Sequence, residues 1–439
     1  MNNNGNIVLS LIHNKIINKA KTSLKKDSNM FLFAYEGILI ALVNNFINNN
    51  NNLFATRLGA SDFQLSLVTA LPQFVGMLVL IPGGILTDRM SSKKKMVIMS
   101  LLSLAVFYFL IGFVPIMKKH RFTAFLILIS LSIGPMTLYN ASWQAYFSDV
   151  IPIKERNKVF TLRTKWTFLV NIAAPLLTGT LLASASTNSG KLKFHQSFFW
   201  AACLFILLQI FILKKIESEN EKKIQNKVTF KDLKNVAIDL MHNKNFLGFL
   251  GVALFFYMSW QMDWTLYYIG QINYLKLNEA WIGYLNVCSA SIQFLTIGFW
   301  SRINEKKGIR FSIIMGGLGL CFGPIAMIFS TSVPLNIGRP LFLILNSIAN
   351  LAFATVMLNI LQCLLQVIPE KNKTLSISIY TLFICFSNAV MPIVGVKIYT
   401  SLGSNLNALH ITFLIILFLR IISTLLWTLR WWFLRNEPK

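Results

Sequence analysis

The chain alternates between long apolar runs and short polar segments. Each run is close to the roughly 20 residues that a helix needs to cross a lipid bilayer. The pattern therefore predicts twelve membrane-spanning helices, six before and six after a long polar connection. Their predicted ranges are 30–55, 64–86, 96–117, 122–147, 162–184, 195–213, 246–270, 279–300, 310–331, 338–366, 376–401 and 407–429.

Polar segments divide the chain into five parts. Before the first span lies a basic segment, for which a helix on the membrane surface and a disordered tail are equally good interpretations. The predicted parts are an N-terminal segment (1–29), a first six-helix bundle (30–213), a central loop (214–245), a second six-helix bundle (246–430) and a short tail (431–439).

Two short motifs recur at the same offset in the two predicted halves. The recurring pairs are Val150-Ile151-Pro152 with Val367-Ile368-Pro369, and Asn171 with Pro175 against Asn388 with Pro392. Two parallel halves related by an axis along the membrane normal form a known transporter architecture. The repeat therefore favours an internally duplicated transporter.

The composition supports a membrane protein and excludes a soluble enzyme domain. Of 439 residues, 55% are hydrophobic and 13% are charged, whereas soluble chains carry about 25% charged residues. The net charge of +25 arises from lysines and arginines in the loops between spans, mostly on one side. The positive-inside bias then predicts cytoplasmic termini and a plasma or inner membrane, without a nucleic-acid partner.

No motif in the sequence indicates a cofactor or a metal. The five cysteines lie within apolar runs without C-x-x-C spacing, and the five histidines are scattered. A phosphate-binding G-x-x-x-x-G-K-[ST] loop is absent, which argues against transport driven by ATP. We expect no metal, no cofactor and no enzymatic activity.

The connection after the second span, residues 84–95, reads GILTDRMSSKKK. It resembles the major facilitator superfamily signature G-x-L-A-D-R-x-G-R-R at Gly84, Leu86, Asp88, Arg89 and Lys93. Two serines replace the usual glycine and first basic residue. The resemblance implies an all-α membrane protein whose twelve helices form two six-helix bundles with pseudo-two-fold symmetry. It also implies a gating loop formed by Gly84, Asp88, Arg89 and Lys93.

A weaker copy of this motif, GFWSRINEKKG, occupies residues 298–308 in the second half. Arg302 stands where Asp88 stands in the first half, so the carboxylate is lost. We predict a second, asymmetric gating loop that contains Arg302, Glu305 and Lys306.

Four charged residues stand out within the predicted spans: Glu36, Asp263, Lys397 and Arg420. A charge at the bilayer centre costs at least about 2.5 kcal/mol, so these residues mark functional candidates. Some sugar-type members of the superfamily pair an acid on span seven with a lysine on span eleven, which would join Asp263 to Lys397. Lys397 could instead extend outward to the interface, Glu36 could be an interfacial acid, and Arg420 could be structural.

Polar and aromatic side chains in mid-span could line a central cavity or bond a neighbouring helix. The predicted coupling and substrate residues are Glu36, Gln73, Asn140, Trp260, Asp263, Asn350 and Lys397. Asn286, Gln293 and Asn346 are further mid-span polar residues.

We therefore expect a secondary active transporter that moves a small organic solute by alternating access, coupled to protons, with efflux favoured. The alternatives are a sugar-like uptake symporter, a membrane enzyme acting on lipid-linked substrates, and a non-transporting sensor. The expected partners are a small-molecule substrate, protons and the lipid bilayer, and we expect a monomer.

Overall fold

The computed structural model describes residues 28–90, 92–216, 230–369 and 373–434. Most of the predicted N-terminal segment, part of the central loop and residues 435–439 of the tail lie outside the described residues.

Twelve helices in the described residues are long and apolar enough to cross a membrane. In chain order, spans one to twelve are Ser28–Arg57, Asp62–Thr87, Lys93–Ile116, Arg121–Val150, Lys158–Ser184, Asn188–Lys215, Lys244–Tyr274, Glu279–Lys307, Ile309–Thr331, Leu335–Leu365, Ser376–Ser401 and Leu406–Phe433. The predicted fold class is confirmed, and the described residues contain no strand.

Span one continues through the asparagine-rich run. A short 3-10 turn at Asn48–Asn50 interrupts the helix, which resumes over Asn51–Arg57. The Asn50 side chain donates to the carbonyls of Phe46 (3.0 Å) and Asn45 (3.2 Å). Backbone groups within a bilayer need internal partners, so these amides allow the helix to change its winding there.

Several helices extend beyond the predicted spans because polar helical residues continue past the apolar run. The helix of span five begins at Ile153, and span eight continues to Lys307, so both include segments that we predicted as loops. Within the predicted central loop, Phe230–His242 forms an amphipathic linker helix. Its Val236 and Leu240 pack into the core of the second half.

The spans form two halves that meet along two helix pairs. One hydrophobic core contains residues of spans one to six together with Tyr268, and two further cores belong to spans seven to twelve. Span two packs along span eleven, and span five packs along span eight. Because spans five and eleven carry the repeated Asn-x-x-x-Pro motif, this pairing follows the internal repeat.

We call the end of the bundle near Lys215 and Lys244 the linker face, and the end near Arg57 and Glu279 the far face. Spans five and eight approach closely near the far face. A Cβ atom added to Gly179 would lie 2.8 Å from the Glu279 carbonyl oxygen, and one added to Gly283 would lie 2.8 Å from that of Pro175. Only glycine permits this approach.

Candidate functional site

In the described part of the chain, three polar cavities lie within and between the halves. A cavity of about 490 Å³ lies between spans one, five and eight, and its lining is mostly amide side chains. A cavity of about 610 Å³ lies between spans one, four and five and shares Asn44 and Asn171 with the first. A third, of about 180 Å³, lies in the second half beside Asp263 and Arg420. Volumes of about 300–1,000 Å³ are typical of small-molecule sites.

Amide side chains are joined by hydrogen bonds on the first-half wall of the 490 Å³ cavity. Asn45 donates to the Asn171 side-chain oxygen at 2.7 Å, and Asn49 donates to that of Asn45 at 2.9 Å. Asn45 connects the carbonyl of Ala41 in its own helix to span five. The chain of amides therefore fixes the wall of the cavity across two spans.

A matching network lies on the second-half wall. Gln293 of span eight donates to Asn350 of span ten at 2.8 Å, and Asn350 donates to the Ser289 hydroxyl at 3.1 Å. Asn346 lies 3.4 Å from the same hydroxyl. Because Gln293 lines the 490 Å³ cavity and Asn350 lines the 180 Å³ cavity, this network connects the two.

Glu36 of span one is fully buried and has three side-chain partners in the first half. Its Oε1 accepts hydrogen bonds from the Tyr139 hydroxyl (2.5 Å) and Gln209 (2.8 Å), and its Oε2 accepts one from Arg163 Nε at 3.1 Å. The Arg163 guanidinium also lies 4.3 Å from the centre of the Trp143 ring. Glu36 thus joins spans one, four, five and six.

Asp263 lies at a break in span seven, between the helices Lys244–Gln261 and Trp264–Ile269. Its Oδ2 lies 2.6 Å from Nη2 of Arg420 on span twelve, and both side chains are buried. Arg420 also donates to the carbonyls of Leu320 (2.5 Å) and Trp260 (3.2 Å). Asp263 Oδ1 has no hydrogen-bond partner among the described residues.

Polar contacts join the two halves at the far face. Glu279 of span eight is almost fully buried and pairs with Arg57 of span one and with Lys191 of span six, the latter at 2.8 Å. The Thr56 and Tyr268 hydroxyls lie 2.8 Å apart. The 610 Å³ cavity instead extends toward the linker face, where Phe147 and Phe160 line it. The halves are therefore closed together at the far face.

The comparisons with known proteins agree with this architecture. Residues 30–362 match the sequence profile of the Major Facilitator Superfamily. The chain belongs to the Major Facilitator Superfamily. It is accordingly a multi-pass membrane protein with the fold of the superfamily's transporters. No protein of curated function matches the sequence.

Solved structures of Major Facilitator Superfamily transporters share this fold. A crystal structure of a mutant of the nucleoside transporter NupG gives a TM-score of 0.69 at 12% identity, covering 91% of this chain and 99% of that chain. A mutant of the peptide transporter POT gives 0.68 at 14% identity, covering 90% and 93%. A bacterial homologue of the human lysosomal transporter Spinster, inward-facing and unoccupied, gives 0.63 at 14% identity, covering 93% and 96%.

The ion pair that sugar-type members of the superfamily suggested, Asp263 with Lys397, does not form. Lys397 is exposed, and Asp263 pairs with Arg420 instead. Lys397 lies near the end of span eleven on an exposed face, whereas Arg420 lies on the buried face of span twelve. Arg420 therefore lines the 180 Å³ cavity.

The other predicted cavity residues have different surroundings. Asn140 lines the 610 Å³ cavity, and Trp260 lies with Asn350 on the 180 Å³ cavity. Gln73 instead lies where the halves meet, with its side-chain oxygen 3.4 Å from Asn388 Nδ2. Glu36 is fully buried, so it is not the interfacial acid that we considered as an alternative.

Arg163 is a site residue that the sequence analysis missed. It falls at the start of the predicted span five (162–184), and we counted it with the basic residues of the preceding cytoplasmic loop. The sequence from Ile153 onward contains no helix-breaking residue before Arg163, and this could have predicted a helix that starts there. Such a helix places Arg163 within the bundle, beside Glu36. Tyr139 and Gln209 were missed because uncharged polar residues occur throughout these spans.

At the superfamily signature loop, the helix of span two ends at Arg89. The side chains of Asp88 and Arg89 lie outside the described residues, and Gly84 lies in the last turns of the helix. The Lys93 ammonium donates to the Thr87 carbonyl. Lys94 donates to the carbonyls of Lys214 (2.9 Å) and Ile216 (2.7 Å), which joins the start of span three to the end of span six.

The predicted second gating loop is not a loop. Arg302, Glu305 and Lys306 are exposed on the last turns of span eight. The helix continues because Asn304 and Asn359 of span ten exchange hydrogen bonds of 2.7 and 3.0 Å. It ends only at Gly308, whose φ of +85° favours glycine.

Proposed function

We propose that the chain is a secondary active transporter that moves a small organic solute across a cell membrane by alternating access between its two halves. The observation that carries the proposal is the polar cleft between the halves, which ion pairs join at the far face in the described structure. Ion pairs close the far face, while the 610 Å³ cavity extends to the linker face. Rocking of one half against the other would open the far face and close the linker face.

The proposed orientation places both termini and the linker face in the cytoplasm of a plasma or inner membrane. The excess of lysine and arginine in the loops of that side supports it. In this orientation the structure is inward-facing. We propose efflux as the direction and a monomer as the working unit, with no enzymatic step in the cycle.

We further propose that proton binding at Asp263 drives the cycle. This carboxylate lies beside a cavity, and one of its oxygens has no partner in the described structure. A proton would neutralise Asp263 and weaken its attraction to Arg420. Because Asp263 lies where span seven is broken, a weaker ion pair would free the two helical segments to change their angle.

The test uses purified protein in liposomes, with candidate solutes offered under an imposed pH gradient in both directions. We expect solute movement coupled to the gradient and abolished by a protonophore. Movement that is indifferent to the gradient would contradict proton coupling. A folded protein that moves no solute in exchange or net flux would contradict transport and favour a sensor.

A further inference from the structure

The charged side chains that line the cleft neutralise one another. In the described part of the chain, the linings of the three cavities contain Arg163, Asp263 and Arg420 as charged residues. Arg163 is paired with the buried Glu36, and Asp263 is paired with Arg420. A charged solute moved out of water needs an opposite charge to compensate its desolvation. Among the described residues that line these cavities, every charged side chain is therefore already in an ion pair.

Amide groups dominate the remaining polar lining. Eleven asparagine and glutamine side chains line the three cavities: Asn44, Asn45, Asn48, Asn49, Asn140, Gln144, Asn171, Asn286, Gln293, Asn346 and Asn350. Each amide offers two donors and one acceptor oxygen. Asn140, Gln144 and Asn286 form no side-chain hydrogen bond with another described residue. They therefore keep donors and acceptors available on both sides of the cleft.

Flat aromatic faces lie beside these amides. Trp143 lines the 610 Å³ cavity, but the Arg163 guanidinium and the stacked Phe147 ring cover its faces, so it offers little ring surface to a solute. Trp260 and Trp264 line the 180 Å³ cavity and contact each other edge to face, with ring centres 5.6 Å apart. Indole faces pack well against the apolar face of a ring, while amides bond its polar edge.

Resting on the transport function proposed above, we propose that the solute is an uncharged ring compound rich in hydroxyl and amide groups, the chemistry shared by nucleosides and small glycosides. Paired charges exclude an ionic anchor, the amides bond hydroxyl and amide groups, and Trp260 and Trp264 pack on the ring. The cleft volume suits a molecule of this size.

The experiment compares matched neutral and charged solutes on the full-length protein. The pairs are uridine with uridine monophosphate, and methyl glucoside with glucuronate. Using one pair from each class also shows whether the protein prefers nucleosides or glycosides. We expect at least one neutral member to raise the melting temperature of the purified protein. The same member should drive counterflow in liposomes at least tenfold faster than its charged partner.

A charge placed in the cleft sharpens the test. Asn286→Asp keeps the shape of a side chain that lines the 490 Å³ cavity but adds a carboxylate. We expect this variant to lose at least tenfold in affinity for the preferred neutral solute. It should gain affinity for a positively charged analogue, either glucosamine or an amine-substituted cytidine. Asn336→Asp, at an exposed position of span ten, is the matched control and should behave as wild type.

The outcomes separate this inference from the function on which it rests. Counterflow of charged members at rates equal to or above those of their neutral partners would overturn the solute class and leave the transporter intact. An equal response of the Asn286→Asp and Asn336→Asp variants would also overturn it. Absence of flux for all four solutes, while other solutes in the test of transport move, would likewise overturn only the solute class. Absence of flux for every solute in both experiments, with the protein folded, would overturn transport itself.

Discussion

Each half of the molecule buries one acid–arginine pair, and the two pairs are built differently. Glu36 has both carboxylate oxygens occupied and joins four spans of one half. Asp263 uses one oxygen for Arg420, leaves the other without a described partner, and lies at a helix break. Protonating a carboxylate weakens the hydrogen bonds that both of its oxygens accept. A carboxylate with two bonded oxygens therefore loses more stabilisation on protonation than one with a single bonded oxygen. The first pair therefore fits a structural role and the second a proton-binding role.

The largest expected effect on stability comes from the first pair. Glu36→Ala leaves the buried Tyr139 hydroxyl without its acceptor, which costs about 1–3 kcal/mol, and leaves the partly exposed Arg163 without its carboxylate. We expect a clear drop in the melting temperature in detergent, and a smaller drop for Glu36→Gln, which keeps an oxygen for Tyr139. A Glu36→Ala protein that melts as wild type would remove the structural role.

The second pair predicts a partial rescue. Arg420→Gln leaves the Asp263 carboxylate buried without its cation, so we expect a loss of stability that added Asp263→Asn partly restores. Contacting residues show coupling energies of about 0.5–3 kcal/mol. Thermal unfolding of the two single variants and the double variant measures this coupling. Additive losses would show that the 2.6 Å contact contributes nothing.

The contrast between the pairs also shows what the sequence could predict. The twelve spans follow from the length of the apolar runs, and the two-half repeat follows from the recurring motifs. Both can be read along the linear sequence without knowing which residues meet in space. The partner of Asp263 did not follow, since it depends on which face of spans eleven and twelve turns inward. Arg163 was missed because it lies at the start of its predicted span, where a basic residue was counted with the preceding loop, whereas the helix begins ten residues earlier, at Ile153.

A third acid, Glu279 of the second half, forms ion pairs with the first half. Its replacement should have a smaller effect than replacement of Glu36 or Arg420. Charge-assisted hydrogen bonds contribute about 1.5–3 kcal/mol, and Arg57 and Lys191 are partly exposed. We expect Glu279→Gln to weaken the closed far face by roughly 1.4 kcal/mol, a factor of about ten. Thr69 of span two contacts Thr265 of span seven across the two halves, with 3.3 Å between their hydroxyl oxygens. Thiol labelling of Thr69→Cys, in a chain whose native cysteines are alanines, should accelerate accordingly.

The control for that experiment is Glu305→Gln, an exposed carboxylate at the other end of span eight. It should leave the labelling rate unchanged. If both substitutions accelerate labelling equally, the Glu279 ion pairs do not hold the far face closed.

The smallest expected effect belongs to Lys397. Because this side chain is exposed, Lys397→Ala should change stability by no more than about 0.5 kcal/mol and leave transport unchanged. Loss of proton-linked accumulation in this variant would restore the sugar-type pairing of spans seven and eleven.

The most direct test of the account compares the two acids in one assay. Solute accumulation in liposomes under a pH gradient is measured for Asp263→Asn, for Glu36→Gln and for the exposed control Asp239→Asn, per amount of folded protein. We predict that Asp263→Asn still exchanges solute but no longer accumulates it, while Glu36→Gln and the control accumulate it. Accumulation by Asp263→Asn at the wild-type level, or its loss only in Glu36→Gln, would contradict the account.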